Sequence, residues 1–174
     1  MKKNQTFSVV SAAISALVLI LISSIDFISM QVKLAGVNEG LTAWDIFDGK
    51  DDFEGLGIGF LVLVAVIVLV ANIVLQFVEI DSITDFAKKY SKTPLPILAN
   101  NLAAVIGAAT LLIVALDSPS QIEDILRKTA MDFYGEYGRT GMQFVDIDVS
   151  FAAWLMVILC ASMLFVPKYV QEKK

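Results

Sequence analysis

The sequence predicts an all-α membrane protein, a four-transmembrane-helix bundle with both termini inside and a small outer cap of short β-strands and a short helix. Of its 174 residues, 57% are apolar and 18% are charged, with a mean hydropathy of +0.74. A soluble domain usually has roughly a quarter of its residues charged. In addition, the chain contains four long uncharged stretches, and the segments between them differ in the sign of their charge.

The uncharged stretches cover residues 4–25, 55–78, 93–116 and 149–167. Each is long enough to cross about 30 Å of hydrocarbon as a helix rising roughly 1.5 Å per residue. In lipid a helix satisfies its own backbone hydrogen bonds, and these stretches are too long for barrel strands. We therefore expect one integral membrane domain over 1–174, with spans at about 5–26, 56–78, 94–116 and 149–167, outer loops 27–55 and 117–148, an inner loop 79–93 and a tail 168–174.

Lysine and arginine favour the cytoplasmic side of a membrane, so their distribution predicts the orientation. One side carries eight bases and four acids, and the other carries five bases and thirteen acids, with Asp26 at the boundary. The basic side is assigned to the cytoplasm, which makes the protein a multi-pass protein of the plasma membrane with both termini cytoplasmic. The alternative, a secretory signal after Met1-Lys2-Lys3, lacks a small-residue cleavage site, and the apolar run exceeds a usual signal core.

Two segments of the outer loops alternate between apolar and polar residues. Met30, Val32 and Leu34 alternate with polar neighbours, and residues 145–149 repeat the pattern. A period of two is typical of strands. One strand would leave the first span and the other would enter the fourth, so we expect them to pair into a small sheet.

Two outer segments also carry helix signals. Thr42 stands three residues before Asp45, and Ser120 stands three residues before Glu123, which is the spacing of a capping box. Gly49 and Gly135 are suitable stops. We expect short helices after Thr42 and after Ser120, the second one running from about 121 to 134 with an apolar stripe against the sheet or the membrane surface.

An acidic cluster in the first outer loop is a candidate partner or cation surface, formed by Asp45, Asp48, Asp51, Asp52 and Glu54. Hard cations such as calcium bind carboxylate oxygens, but the spacing does not fit an EF-hand. A solvated acidic loop is the preferred interpretation. A weak cation site and a docking site for a basic partner are the alternatives.

Four amides lie inside the predicted spans at similar depth. Asn72 and Gln76 share one face of the second span because they are four residues apart, and Asn100 and Asn101 lie in the third span. Amides that bond across helices contribute about 0.6 to 2 kcal/mol each in a membrane. We favour a structural role for this cluster, with a polar path for an ion or small solute as the alternative.

Small residues recur along the third span at Ala99, Ala103 and Gly107. This spacing lets helices approach closely. It predicts tight packing, within one subunit or between subunits, and we favour packing within the subunit. The oligomeric state is left open by the sequence.

The sequence contains no signature of catalysis. It has no His and a single Cys, which removes the commonest acid-base group and any cysteine-based metal cluster, and no nucleophile or phosphate-loop motif is present. We therefore predict a non-enzymatic protein without catalytic residues, metal or cofactor. Its acidic outer side also argues against nucleic acid as a partner.

In layout, with four spans and a strand-bearing first outer segment, the chain resembles claudin-type tetraspan proteins. Their first loop carries a Trp with paired cysteines, whereas this loop has Trp44 and no Cys, so no function or site is transferred. We expect the protein to lie in the lipid bilayer and to bind a membrane or extracellular protein through its acidic outer cap or its helix faces, in an accessory, scaffold or immunity-type role. The alternative is a small channel or transporter that uses the amide cluster.

Overall fold

A computed structural model of the chain describes residues 3–33, 36–48, 58–78, 80, 83–85, 89, 93–135, 137 and 141–171. The helices are α1 (Lys3–Ser24), α2 (Ala43–Asp48), α3 (Gly59–Phe77), α4 (Leu95–Tyr134), α5 (Phe151–Ser162) and α6 (Val166–Gln171). The strands are β1 (Asp26–Val32), β2 (Val37–Thr42) and β3 (Val145–Val149), and short 3-10 turns cover Met142–Phe144 and Met163–Phe165.

Four helices in the described part of the chain are long and apolar enough to span a membrane. These segments are Thr6–Ser24, Gly59–Phe77, Leu95–Tyr134 and Phe151–Lys168, and each overlaps one of the four uncharged stretches of the sequence. The helices form a bundle in the cyclic order α1, α3, α4, α5, and the closest packing is that of α4 against α3 and α5.

Small residues on α4 allow this close packing. Ala103 and Gly107 are buried on the face between α3 and α5. A Cβ added to Gly107 would lie 3.3 Å from Cys160 Sγ on α5 and 3.9 Å from Leu69 Cδ2 on α3. The small-residue series therefore packs within the subunit, as expected from the sequence, and Cys160 is buried in the same contact.

One end of the bundle carries a three-stranded antiparallel sheet in the order β2-β1-β3, and we call it the sheet end. The expected pairing of β1 with β3 is confirmed, with Gln31 opposite Asp146 and Met30 opposite Ile147. Lys33 Nζ and Asp146 Oδ2 are 2.7 Å apart, so an ion pair accompanies the β1–β3 pairing.

Strand β2 was not predicted, because its sequence, VNEGLT, has a weak strand pattern with a glycine and an acid. It forms because β1 offers a free edge immediately before it. Gly40 faces Ser29 in this pair, and a Cβ at Gly40 would collide with the Asp26 carboxylate. Asp26 itself is the exposed first residue of β1. Helix α1 therefore ends at Ser24, before the predicted end of the span at 26, and β1 begins earlier than the strand predicted from residue 30.

Ser150 joins the sheet to the bundle. Its amide donates to the carbonyl of Phe27 at 3.0 Å, and its hydroxyl donates to the carbonyl of Asp26. Ser150 Oγ also accepts a bond from the amide of Ala153 at 3.4 Å and so caps α5. One residue therefore fixes the start of α5 next to the start of β1.

The helix expected to begin after Ser120 is not a separate element, and this prediction was wrong. Helix α4 runs without interruption for 40 residues, through Pro119, and at roughly 1.5 Å per residue it is about 60 Å long. Ser120 Oγ donates to the carbonyl of Asp117 within this helix, so it does not cap an N-terminus. The predicted stop is confirmed at Gly135, which has a φ of 58°.

The outer part of α4 packs on the sheet end through the expected apolar stripe. Ile122 is fully buried, and Ile125 and Leu126 are partly buried against the core. The continuity of α4 thus makes the sheet and the bundle one packed body, because a single helix contributes to the core of both.

The capping box before α2 is confirmed. Asp45 Oδ2 accepts bonds from the amide and the hydroxyl of Thr42 at 2.9 and 2.8 Å, and Thr42 Oγ1 accepts from the amide of Asp45 at 3.0 Å. Helix α2 then lies against the start of α3, where a Cβ at Gly59 would be only 2.8 Å from the carbonyl oxygen of Ile46. The predicted stop at Gly49 lies outside the described residues.

Candidate functional site: an amide and hydroxyl network between the helices

The amides predicted inside the spans meet in the half of the bundle away from the sheet end. Asn72, Gln76 and Asn100 are buried, whereas Asn101 is only half-buried. Their positions follow from the chain path, because α3 ends and α4 begins at the same end of the bundle. Amides a few residues from these two helix ends therefore lie at one depth.

The network begins at a backbone carbonyl in the turn after α5. Met163 O accepts a hydrogen bond from Asn100 Nδ2 at 2.8 Å, and the same nitrogen lies 3.3 Å from Asn101 Oδ1. Asn100 Oδ1 is therefore the acceptor, and Ser11 Oγ donates to it at 2.7 Å. Because the only hydroxyl hydrogen of Ser11 is used, its oxygen accepts from Asn72 Nδ2 at 3.0 Å.

A second backbone carbonyl closes the other end of the network. Pro96 O accepts from Gln76 Nε2 at 2.9 Å, and this nitrogen also donates to Asn72 Oδ1 at 2.9 Å. The remaining hydrogen of Asn72 goes to Ser15 Oγ at 2.9 Å, and Ser15 Oγ lies 3.9 Å from Met163 Sδ.

The two carbonyls determine the direction of every bond between them. A carbonyl can only accept, so Asn100 and Gln76 must present nitrogen to Met163 and Pro96, and the inner amides follow. All six amide hydrogens of Asn72, Gln76 and Asn100 are donated. The network contains no ionisable group, and its donors are fully used within the protein.

Ser11 and Ser15 are the members that sequence reasoning did not assign to the site. In the sequence they appear as small residues suited to close helix packing, and they do lie fully buried on α1. The missed signal is their spacing of four residues, which matches that of Asn72 and Gln76 on α3. Two polar pairs with the same spacing on helices that face each other can bond at two successive turns.

The acidic cluster predicted in the first outer loop is only partly described. Asp45 is engaged in the capping box, and Asp48 is the exposed last residue of α2. Asp51, Asp52 and Glu54 lie outside the described residues. Over the part of the chain that the structure describes, no group of three or more His, Cys, Asp or Glu side chains is arranged to hold a metal ion.

A second candidate site lies at the sheet end, in the last turn of α4 and just after it. Four large side chains there are strongly exposed: 48% for Met131, 78% for Phe133, 72% for Tyr134 and 88% for Tyr137. We call these four residues, three aromatic ones and Met131, the aromatic patch. Tyr134 and Tyr137 also line a shallow cavity of about 310 Å³ that is completed by Met142. Exposed aromatic clusters of this kind are typical of protein interfaces.

Comparison of the chain with protein-family models, with curated proteins and with solved structures found no match.

Proposed function

We propose that the chain is an integral membrane protein of the plasma membrane, with both termini in the cytoplasm, that acts by binding a protein partner at its sheet end. The lipid placement is supported by four apolar helices whose outward faces carry large side chains, among them Phe60, Ile67 and Phe151, which are exposed by 57% or more. Such faces are stable in hydrocarbon and unfavourable in water.

The sheet end is the external part in this proposal, since it carries the acidic loops. The observation that supports partner binding is the aromatic patch, of which Met131, Phe133 and Tyr134 belong to the end of α4. Nearer to Pro119 on the same helix, Ile122 is fully buried and anchors α4 to the sheet end. Large exposed aromatic side chains supply much of the binding energy at protein interfaces.

The partner that fits has an apolar anchor for the cavity at Tyr134 and Tyr137 and basic residues around it. The exposed side chains near the patch include the acids Asp124 and Asp132 and the bases Arg127 and Lys128. The predicted outer side as a whole has a net charge of −8 by sequence. Electrostatic complementarity of this kind accelerates association and selects partners. The proposed role is therefore that of an accessory, scaffold or immunity-type protein without catalytic activity.

The transporter alternative has less support. Each amide hydrogen of the network is already donated to a protein acceptor, and Asn72 and Asn100 are at most 1% exposed. A solute would have to break several buried hydrogen bonds to pass, each of which costs about 1 to 3 kcal/mol when a polar group is left unpaired. The network fits a structural role that holds α1, α3, α4 and the turn after α5 in register.

The orientation is tested with engineered cysteines and a maleimide that does not cross membranes. Cys160 is fully buried, so the parent chain gives a low background. We expect Lys128→Cys to be labelled in intact cells and Lys168→Cys only after permeabilisation, since both lysines are exposed and lie at opposite ends of the bundle. Labelling of Lys168→Cys alone in intact cells would reverse the proposed orientation.

Partner binding is tested by a photo-crosslinking amino acid at Tyr134 in native membranes. We expect one discrete crosslinked species, lost when Tyr137→Ser is added and retained when Val37→Ser is added. Val37 is a matched control because it is an exposed apolar residue of the sheet end, 44% accessible, outside the patch. A probe at Tyr134 that yields no species, or one that is unaffected by Tyr137→Ser, would contradict the proposal.

A further inference from the structure

A cavity of about 330 Å³ opens at the end of the bundle away from the sheet, between the end of α3 and the start of α4. It is much larger than the roughly 30 Å³ that one water molecule occupies in the liquid. Six of the eight described lining residues are apolar and two have polar side chains. The lining residues are Leu75, Gln76, Phe77, Val78, Thr84, Pro94, Leu95 and Pro96.

The two polar side chains that line the cavity each hold an unpaired oxygen. Gln76 Oε1 and Thr84 Oγ1 are the buried side-chain polar atoms without a hydrogen-bond partner among the described residues, and the Gln76 side chain is 7% exposed. Buried polar atoms are nearly always bonded, because an unpaired one costs about 1 to 3 kcal/mol. Two such atoms on one cavity mark it as a place where a donor from water or from a ligand completes them.

The network fixes the chemistry that Gln76 requires. Its nitrogen is committed to Pro96 O and to Asn72 Oδ1, so the amide cannot rotate without placing oxygen against oxygen. Gln76 Oε1 is therefore an acceptor and needs a donor. Thr84 Oγ1 can donate or accept.

The described residues that line the cavity are all uncharged, which favours a neutral ligand group. A buried ammonium without a counter-charge is costly, whereas a hydroxyl group pairs with an amide oxygen and a threonine hydroxyl at little cost. A group with two neighbouring hydroxyls satisfies both oxygens at once.

Two rim residues point to an amphiphile as the source of these hydroxyls. Phe77 and Val78, which line the cavity, are also 62% and 49% exposed on the outside of the bundle. A ligand in the cavity thus continues onto an apolar helix surface. We propose that the cavity binds the glycerol head group of a membrane lipid, with its hydroxyls on Gln76 and Thr84 and its acyl chains along α3.

This inference rests on the proposed membrane placement and goes beyond it. By sequence, the side of the membrane assigned to this cavity carries eight bases and four acids. That balance favours an anionic phosphodiester near the surface. Phosphatidylglycerol has both features, because its head group carries two neighbouring hydroxyls and its phosphodiester is anionic.

The test measures lipid retained by the full purified chain in native mass spectrometry. Phosphatidylglycerol is compared with phosphatidylethanol of the same acyl chains, which has the same charge and no head-group hydroxyl. We expect retention of phosphatidylglycerol to exceed that of phosphatidylethanol about thirtyfold, since each of the two added hydrogen bonds contributes about fivefold. Equal retention of the two lipids would overturn the inference.

Variants locate the effect in the cavity. Thr84→Val should lower the preference about fivefold, because the bond to Gln76 remains, and Thr84→Ser should restore it. Thr110→Val is the matched control, since the Thr110 hydroxyl already donates to the carbonyl of Ile106 within α4 at 2.8 Å. A preference that Thr84→Val leaves unchanged, in protein with an unchanged elution volume, would also overturn the inference.

A control with free glycerol distinguishes a lipid head group from a soluble polyol, since both offer neighbouring hydroxyls. We expect glycerol at the lipid concentration to leave lipid retention unchanged, whereas displacement of the lipid by glycerol would show that the site takes a soluble polyol. The membrane placement is tested separately by extraction with alkaline carbonate. Release of the chain from vesicles would show that it is not an integral membrane protein. A chain that resists extraction yet shows no lipid preference overturns only the cavity assignment.

Discussion

Asn100 on α4 donates a hydrogen bond to the backbone oxygen of Met163, in the turn that follows α5. The same carbonyl also accepts a bond from the amide of Val166 within the turn, so the bond from Asn100 is its second. Through Ser11 and Asn72 the same amide is linked to α1 and α3. One side chain therefore couples all four long helices at one depth.

We expect Asn100→Leu to be strongly destabilising. The substitution leaves the buried Ser11 hydroxyl without its acceptor, whereas Met163 O keeps its bond from the amide of Val166. One unpaired buried group costs about 1 to 3 kcal/mol. The midpoint of thermal unfolding in detergent should fall by several degrees. Asn101→Leu is the control, because Asn101 is half-buried and its oxygen has one long contact at 3.3 Å. Equal losses in the two variants would contradict a network centred on Asn100.

We expect Gly107→Val to weaken the contact of α4 with α5 and α3. The first added carbon already lies 3.3 Å from Cys160 Sγ, and further methyl groups overpack the interface at a cost of about 1 to 3 kcal/mol. Ala108→Val serves as the control, since Ala108 is only partly buried. The free energy of unfolding in a mixed-detergent titration measures the difference. Restoration of stability by adding Cys160→Ala would confirm the contact.

We expect the β1–β3 register to be visible by disulfide formation. Gln31 and Asp146 are directly opposed, and opposed residues of antiparallel strands are about 4.5 to 5.5 Å apart at Cα, within disulfide range. The pair Gln31→Cys with Asp146→Cys should cross-link on mild oxidation. The pair Gln31→Cys with Asp148→Cys is offset by two residues along β3 and should form much less disulfide. Reversed yields would show a register shifted by two residues.

We expect Ile122→Ala to loosen the outer part of α4. Removing a fully buried isoleucine side chain costs about 2 to 5 kcal/mol, and Ile122 is 0% exposed. Trypsin should then cleave faster after Arg127 and Lys128. Glu123→Ala is the control: it removes only an exposed ion pair with Arg127, which contributes about 0.3 to 0.5 kcal/mol. Unchanged cleavage in Ile122→Ala would mean that Ile122 does not anchor this segment.

Several features were predictable because their signals are local. The paired strands β1 and β3 follow from a period of two in residues 30–34 and 145–149, and the cap of α2 follows from the spacing of Thr42 and Asp45. The amide cluster was predictable as well. Asn72 and Gln76 share a helix face by their spacing, and the short connection to α4 brings Asn100 to the same depth.

Other features were not predictable because their causes are distant in the sequence. The Ser120–Glu123 spacing resembled a helix start, yet α4 continues through it, since Ile122 is buried against the sheet end. Proline at 119 and a capping-type serine favour a break only when packing does not oppose it. The orphan oxygen of Gln76 likewise depends on Pro96, twenty residues away, which holds the amide nitrogen.

By itself the sequence determined the four apolar helices, the strands β1 and β3 and the chemical type of the buried polar residues, because hydropathy and periodicity act over short segments. The tertiary structure alone decided that β2 completes the sheet, that α4 is one helix, and that Ser11 and Ser15 bond to Asn72. Each of these depends on which surface a distant segment offers. A free strand edge, a buried contact and a facing amide exist only after the helices have packed.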